Sequence, residues 1–210
     1  KVPRIPKPGE TILGGEFIKA AGGKGANQAV AAAKSGGNVT FIANVGDDNL
    51  GKEAVEGFKE QGMNTDFIFV DGEKPSGVAL IFVGEDGENS IAVASGANAT
   101  LKPEQIREIK EVIAEGDILL SQLETPTETI EEAIRIASQN SVNVILNPAP
   151  AQELSDDLLS QVDIFTPNQS EAELLTGIPV HDEKSARRAS ENLLLKGVKT
   201  VILTLGYEGA

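Results

Sequence analysis

The sequence predicts an α/β fold with a mainly parallel sheet, and three observations carry that reading. Short runs of β-branched residues alternate with segments of helical period along most of the 210 residues. A glycine cluster, Ala21 Gly22 Gly23 Lys24 Gly25, runs straight into the alanine-rich stretch Ala26 to Ala33. Glycines there let backbone approach a ligand closely, and a helix start leaves N–H groups pointing outward. Polar residues also follow the end of strand after strand, where open α/β sheets bind ligands.

In chain order, Lys1 Val2 Pro3 Arg4 Ile5 Pro6 Lys7 Pro8 Gly9 Glu10 reads as an extended loop, and 11–19 has no helical period. A helix at 24–35 precedes a strand at 39–43; a helix at 50–61 precedes a strand at 67–70. The rhythm then breaks. Gly77 Val78 Ala79 Leu80 Ile81 Phe82 Val83 and Ser90 Ile91 Ala92 Val93 flank Gly84 Glu85 Asp86 Gly87 Glu88 Asn89 in hairpin form, with no helix between them. This hairpin is expected to project as a small separate sheet that the segment 11–19 joins. Alternation resumes with helices at 103–115, 127–140 and 183–196 and strands at 117–120, 142–146, 163–166 and 200–204. Strands linked through helices are parallel, with helices on both faces of the sheet.

Composition bounds the function. With 40% hydrophobic residues the chain can bury a sizeable core, as one large or two small domains. Eighteen basic against 32 acidic residues give a net charge of −14, which argues against nucleic acid or an anionic membrane as the main partner. Aromatic residues, at 4%, offer few stacking platforms for bases. The absence of cysteine excludes disulfides, thiol catalysis and cysteine metal sites, and with no signal peptide visible a cytoplasmic setting is the default. No apolar run approaches the ~20 residues that span a bilayer. An acidic chain that binds phosphate must do so locally, through backbone N–H groups, helix termini or a cation, so a metal requirement is expected. With one histidine, His181, in a polar surface stretch, that metal would be a hard cation held by oxygen.

The residues that follow the strands are Ser121 Gln122 Leu123 Glu124, Asn147 Pro148 Ala149 Pro150, Pro167 Asn168 Gln169 Ser170 Glu171, and Thr204 Leu205 Gly206. Together with the glycine-rich turn they suggest one shared crevice. Gly46 Asp47 Asp48 Asn49 Leu50 Gly51 Lys52 Glu53 imitates a Walker-type phosphate loop until its last position. Glu53 stands where magnesium needs Ser or Thr, so the stretch reads as a structural turn and a capped helix, with a sugar-side role as the alternative. The glycine turn lacks the third glycine of a dinucleotide fingerprint, which disfavours a nicotinamide-dependent oxidoreductase.

The run GGKGANQ with Pro8 Gly9 Glu10 Thr11 before it, the Gly46 Asp47 Asp48 turn, Gln122 Leu123 Glu124, Asn147 Pro148 Ala149 Pro150 Ala151, Thr166 Pro167 Asn168 with Glu171 Ala172 Glu173, Leu175 Thr176 Gly177 and Thr204 Leu205 Gly206 stand in order along almost the whole chain. In this the sequence resembles the PfkB-type (ribokinase-like) carbohydrate kinases. The resemblance implies a three-layer αβα sandwich with a mainly parallel central sheet and a small projecting β-sheet lid. The core would comprise 23–76 and 95–210, incomplete at its C-terminus, and the lid 1–22 and 77–94. It implies ATP-dependent phosphorylation of D-ribose to ribose 5-phosphate, with Mg2+ accompanying ATP, K+ or another monovalent cation as activator, and a homodimer formed through the lid. Gly23, Lys24, Gly25, Ala26, Asn27 and Glu124 would bind the sugar. Asn168, Glu171, Thr204, Leu205, Gly206, Tyr207, Glu208 and Gly209 would border the nucleotide, with Glu171 also helping, indirectly, to organise magnesium.

Each of these residues has a plainer reading. Glu124 could cap a helix, Asn147 with Pro148 could be a turn, and Asn168 could be an N-cap worth about 1 kcal/mol. The family's catalytic aspartate, in a Gly-Ala-Gly-Asp motif, has no counterpart in the 210 residues and is expected downstream of Ala210. The chain begins on Lys1 and closes on a strand and turn, so both ends read as internal to a longer protein, and the 210 residues alone are expected to be inactive. Two alternatives stay open: a kinase of the same scaffold for another pentose, sugar or nucleoside, and a non-catalytic sugar-binding module.

Overall fold

The computed structural model describes residues 1–210, which form two compact units, Lys1–Asn98 and Ala99–Ala210. In the first unit, α1 (Lys24–Lys34), β1 (Ala43–Gly46), α2 (Asn49–Glu60) and β2 (Ile68–Asp71) follow in order, and β1 and β2 pair in parallel from Ala43↔Ile68 to Gly46↔Asp71. Ala29 of α1, Phe58 of α2 and Met63 are the buried centre, with Ala26, Val30, Phe41 and Ile68 packed around them. The Phe41 and Phe58 rings meet edge to face at 4.9 Å, the arrangement their quadrupoles favour.

The hairpin forms as the sequence suggests. β3 (Val78–Val83) and β4 (Asn89–Ala94) pair antiparallel from Val78↔Ala94 to Val83↔Asn89 in a sheet of their own. Both strands are exposed along nearly their whole length. The segment 11–19, however, adds no strand to this sheet. Gly14 and Gly15, at φ 92° and 126°, turn the chain out of the extended region, and it is Val2 whose N–H donates to the Val83 carbonyl, at 2.9 Å. The strand expected at 39–43 also moves: its ladder runs over Ala43–Gly46, because β2 supplies partners only there, and Thr40 makes only an isolated bridge to Asn64.

The second unit carries α3 (Pro103–Glu108), α4 (Lys110–Ala114), β5 (Ile118–Ser121), α5 (Thr127–Gln139), β6 (Asn143–Leu146), α6 (Asp156–Leu159), β7 (Ile164–Phe165), α7 (Gln169–Thr176), α8 (Glu183–Leu195) and β8 (Thr200–Val201). Its four strands are all parallel, in the order β5-β6-β7-β8. Val144, Leu146 and Phe165 of the central strands are fully buried beside Ile134, Leu159 and Leu193, as expected for strands covered on both faces. The single helix expected at 103–115 is two, parted at Ile109 (φ −110°, ψ 20°), while Ile106, Ile109 and Ile113 all remain buried. No breaker residue marks that joint, so packing of the three isoleucines decides it.

One short helix, α6, was not separately expected, while α7 begins at Asn168, the residue that reads as an N-cap. α6 is capped by Ser155, whose Oγ accepts the Leu158 N–H at 3.2 Å, and α7 by Asn168. Asp182 caps α8, accepting the Ser185 N–H at 2.7 Å, and His181 is exposed just before it. No helix is long and apolar enough to cross a membrane.

Candidate functional site

In the first unit the glycine turn ends at Gly23, the N-cap of α1, with φ 95°. No side chain caps this helix and no acidic residue lies in its first turn, so its positive end faces outward with Lys24 as its first residue. Gly22, Gly23, Lys24 and Asn27 are exposed; Ala26 packs its methyl into the core, leaving only its backbone for a ligand. Its neighbour in sequence, the Walker-like turn, is structural. Lys52 reaches Asp47 at 2.8 Å, Glu53 pairs with Lys19, and Asp48 caps α2 by accepting the Gly51 N–H at 2.8 Å.

In the second unit, the parallel order brings the ends of β5, β6, β7 and β8 to one edge. Hydrogen bonds lace these ends together. The Asn147 N–H donates to Ser121, the Leu123 N–H to Ala149, and the Asn147 Nδ2 to the Thr166 carbonyl at 2.8 Å. The Thr204 N–H donates to Pro167 at 2.9 Å, and Thr204 bridges Asn168 in parallel pairing beyond the short ladder. Asn147 therefore ties β6 to β7 rather than simply turning the chain. Glu124 and Gln122 lie on the same edge, half-buried and engaged in contacts.

Asn168 and Glu171 form a capping box at the start of α7. The Asn168 Oδ1 accepts the Glu171 N–H at 2.9 Å and the Ser170 hydroxyl at 2.8 Å, and the Glu171 Oε2 accepts the Asn168 N–H at 2.8 Å. Glu171 is 6% exposed, a carboxylate kept at a helix start where the dipole favours it. With Oδ1 occupied, the Nδ2 of Asn168 keeps its donors for a ligand. The plainer reading of Asn168 as a cap is thus correct, and it does not use up the side chain.

The stretch Thr204 to Gly209 divides by residue. Leu205 packs against the buried cluster of Ala172, Val180, Ala186, Ala189 and Leu203, so its side chain belongs to the core. A bond from the Leu205 N–H to the Gly209 carbonyl, at 2.7 Å, closes a turn over Gly206–Glu208. Thr204, Gly206, Tyr207, Glu208 and Gly209 are exposed, Tyr207 at 99%.

No group of three or more His, Asp or Glu could hold a metal by itself. A magnesium ion brought on nucleotide phosphates needs only one or two protein carboxylates, and the carboxylate at the start of α7 on this edge is Glu171, 6% exposed. A polar depression of about 240 Å3 lies at the opposite, N-terminal edge, lined by Ser141, Asn143, Ser160, Asp163 and Lys199 among others. There the Lys199 Nζ lies 2.6 Å from Asp163. Burial pushes the Asp163 carboxyl up, yet Lys199 and the Val144 N–H together hold it below its ordinary value. The pair closes on itself and offers no net charge to a ligand.

Comparison with known proteins agrees with the fold and the strand-end geometry. The profile of the pfkB family carbohydrate kinases matches residues 1–210. The chain is 50% identical over 208 residues to a ribokinase of Haemophilus influenzae, covering 99% of this chain and 68% of that protein. It is 39% identical to a deoxyribokinase of Salmonella typhi, with 99% and 68% covered. The solved structure of Arabidopsis thaliana ribokinase complexed with ribose and ATP superposes with a TM-score of 0.89 at 31% identity, over 97% of this chain and 66% of that one. The chain thus spans about two thirds of the length of these relatives. Parallel strands with a polar C-terminal edge, an uncapped glycine-rich helix start, and a family match along the whole length lead to one conclusion: the chain belongs to the pfkB family of carbohydrate kinases.

Proposed function

We propose that this chain carries the sugar-binding and part of the nucleotide-binding machinery of an ATP-dependent kinase that converts D-ribose to ribose 5-phosphate. The sugar 5-hydroxyl attacks the γ-phosphorus in line and gives its proton to a general base, while the bond from that phosphorus to the bridging oxygen breaks and ADP leaves. The observation that carries the reading is the Asn168–Glu171 capping box at the C-terminal edge of a four-stranded parallel sheet, where an amide donor and a helix start face the place for phosphates. Similarity to ribokinases supports the choice of ribose and ATP.

In this reading the uncapped start of α1, with Gly23, Lys24, Gly25, the Ala26 backbone and Asn27, holds the polyol through N–H and amide donors, and Glu124 accepts from its hydroxyls. Asn168 donates to phosphate oxygens, and Thr204 to Gly209 borders the nucleotide. Magnesium carried with ATP would neutralise charge on the phosphates. Glu171 holds Asn168 in place and would help, indirectly, to organise that ion. Phosphoryl transfer is mostly positioning and electrostatics, and these residues would supply the part of it that holds the sugar and the phosphates. The β3–β4 hairpin acts as the lid over the sugar, with 1–22 and 77–94 as lid segments and 23–76 and 95–210 as core. Its exposed Leu80, Ile81, Ile91 and Val93 support pairing with a second copy, and hence a homodimer. Potassium activation and a cytoplasmic setting complete the reading.

The test is a coupled ADP-release assay on the complete protein, with magnesium and with potassium or sodium, across a panel of sugars. Ribose-dependent ADP release, faster with potassium, is the expected result; none with ribose overturns the substrate. A second reading, deoxyribose as substrate, is favoured by the similarity to a deoxyribokinase, and the same panel separates the two.

A further inference from the structure

The Walker-like turn of the first unit holds a second arrangement that capping of α2 does not require. Asp48 accepts two hydrogen bonds besides the cap: Oδ1 takes the Ser76 hydroxyl as well as the capping Gly51 N–H, each at 2.8 Å, and Oδ2 takes the Ser76 N–H at 2.8 Å. The Ser76 Oγ in turn accepts the Gly46 N–H at 3.0 Å. The Asp48 carboxylate and the Ser76 hydroxyl together join the end of β1 and the start of α2 to the segment just before β3. Gly51, and then Ser76, hold the Asp48 carboxyl below its ordinary value.

Close backbone packing surrounds this knot. A Cβ on Gly46 would stand 2.4 Å from the Ser76 nitrogen and 2.6 Å from the Lys74 carbonyl, so the chain entering β3 crosses directly over the end of β1. Gly96, just after β4, has φ +53°, and a Cβ there would stand 2.2 Å from the Pro75 carbonyl. That same carbonyl accepts the Ala97 N–H at 2.8 Å, and Ala97 is fully buried. Both roots of the hairpin are thus held to each other and to the β1–α2 joint. Beyond the roots the hairpin strands are exposed, and a lone two-stranded ribbon has little stability of its own. Its direction is set chiefly at its roots, with one further bond, from the Val2 N–H to the Val83 carbonyl, at its far end.

We propose that Asp48 and Ser76 are a positioning pair: their bonds fix the direction of the β3–β4 hairpin, and through it the affinity for sugar. The inference rests on the reading of the hairpin as a lid over the sugar. Neither residue touches the reacting atoms. Charge-assisted hydrogen bonds of this kind are short and strong, and their loss leaves the ribbon oriented only by the root contact of Ala97 with Pro75 and the bond from Val2 to Val83.

The test uses the complete protein with nitroxide labels at Glu85→Cys, on the hairpin turn, and Lys59→Cys, near the end of α2. Both residues are exposed, and the 210 residues contain no cysteine to compete. Pulsed electron resonance reads the distance distribution between them. Ser76→Ala and Asp48→Asn are expected to broaden it, and Ser76→Thr, which keeps the hydroxyl, to restore it. In steady-state kinetics without labels, Ser76→Ala is expected to raise the sugar KM about tenfold, the scale of one lost bond to a charged group, with the ATP KM unchanged. Superimposable distributions overturn the proposal, as does a broadened one with an unchanged sugar KM. If the unsubstituted protein turns over no sugar, the functional reading fails by itself, and the distance distributions still decide whether the pair orients the hairpin.

Discussion

Replacing Asn168 by Asp separates capping from nucleotide binding in one change. Asp caps a helix as well as Asn does, and its carboxylate oxygen can accept the Glu171 N–H, now at 2.9 Å, and the Ser170 hydroxyl, now at 2.8 Å. The helix dipole favours the new charge, while repulsion from the buried Glu171 carboxylate, whose Oε2 already accepts the residue-168 N–H, opposes it. Net stability is expected to change by about 1 kcal/mol or less, roughly 2–4 °C in Tm for a chain of this size. The nucleotide sees a different residue. The Nδ2 donor is gone, which costs about 2 kcal/mol for a bond to a charged phosphate, and a negative charge faces the phosphates at about 1 kcal/mol in water-like surroundings. Together these make about 3 kcal/mol, or roughly a hundredfold rise in the KM for ATP. Asn168→Ala loses the cap, about 1 kcal/mol, and the donor, but adds no charge; its ATP KM should rise by about thirtyfold. The assay is ADP release at saturating sugar against varied ATP, with melting followed in parallel. An Asn168→Asp protein that keeps its ATP KM within about twofold would refute the argument and leave Asn168 a cap alone.

Other expectations follow from single features. Ser141, just after α5, has φ 61°, a left-handed conformation that favours glycine; Ser141→Gly should raise Tm by roughly 2–4 °C, the equivalent of about 1 kcal/mol, and a fall in a calorimetric melt would contradict the strain. Arg4, then the Lys7 N–H, lower the Glu10 carboxyl from 4.5 to about 2. A carboxyl lowered on folding stabilises above its unfolded value, so this contribution is complete above pH 4.5 and fades as pH falls toward about 2. An NMR titration of Glu10 should give the low midpoint, and Arg4→Ala should return it toward the ordinary value; an unmoved midpoint would remove Arg4 as the cause. Leu80→Lys with Ile91→Lys, on exposed positions of the hairpin, should convert a dimer to a monomer in light scattering with little change in Tm. A parent protein that is already monomeric at assay concentration rules out the dimer.

Much of the site was legible because it rests on local rules. Gly23 before an alanine-rich run, Asp48 three residues before Gly51 and Asn168 three before Glu171 each mark a helix start within one turn of sequence, and each helix begins there. The apolar runs flanking the Gly84 to Asn89 turn likewise announce a hairpin that needs only its own two strands. The reading failed where a partner lay far along the chain. Gly14 and Gly15 turned the 11–19 segment away from a hairpin edge it was expected to join. The ladders of β7 and β8 cover only two residues each, although the β-branched runs are longer.

The sequence by itself determined the alternation of strands and helices, the positions of the caps and the acidic, cysteine-free character of the chain, since hydrogen-bonding reach and side-chain period are local properties. Only the tertiary structure decided that Leu205 and Ala26 turn their side chains into the core, that Asn147 ties two strand ends, and that Asp48 grips Ser76 across a whole helix and strand. Those contacts depend on the register in which distant segments pack, and that register is set by burying the apolar faces of all of them at once.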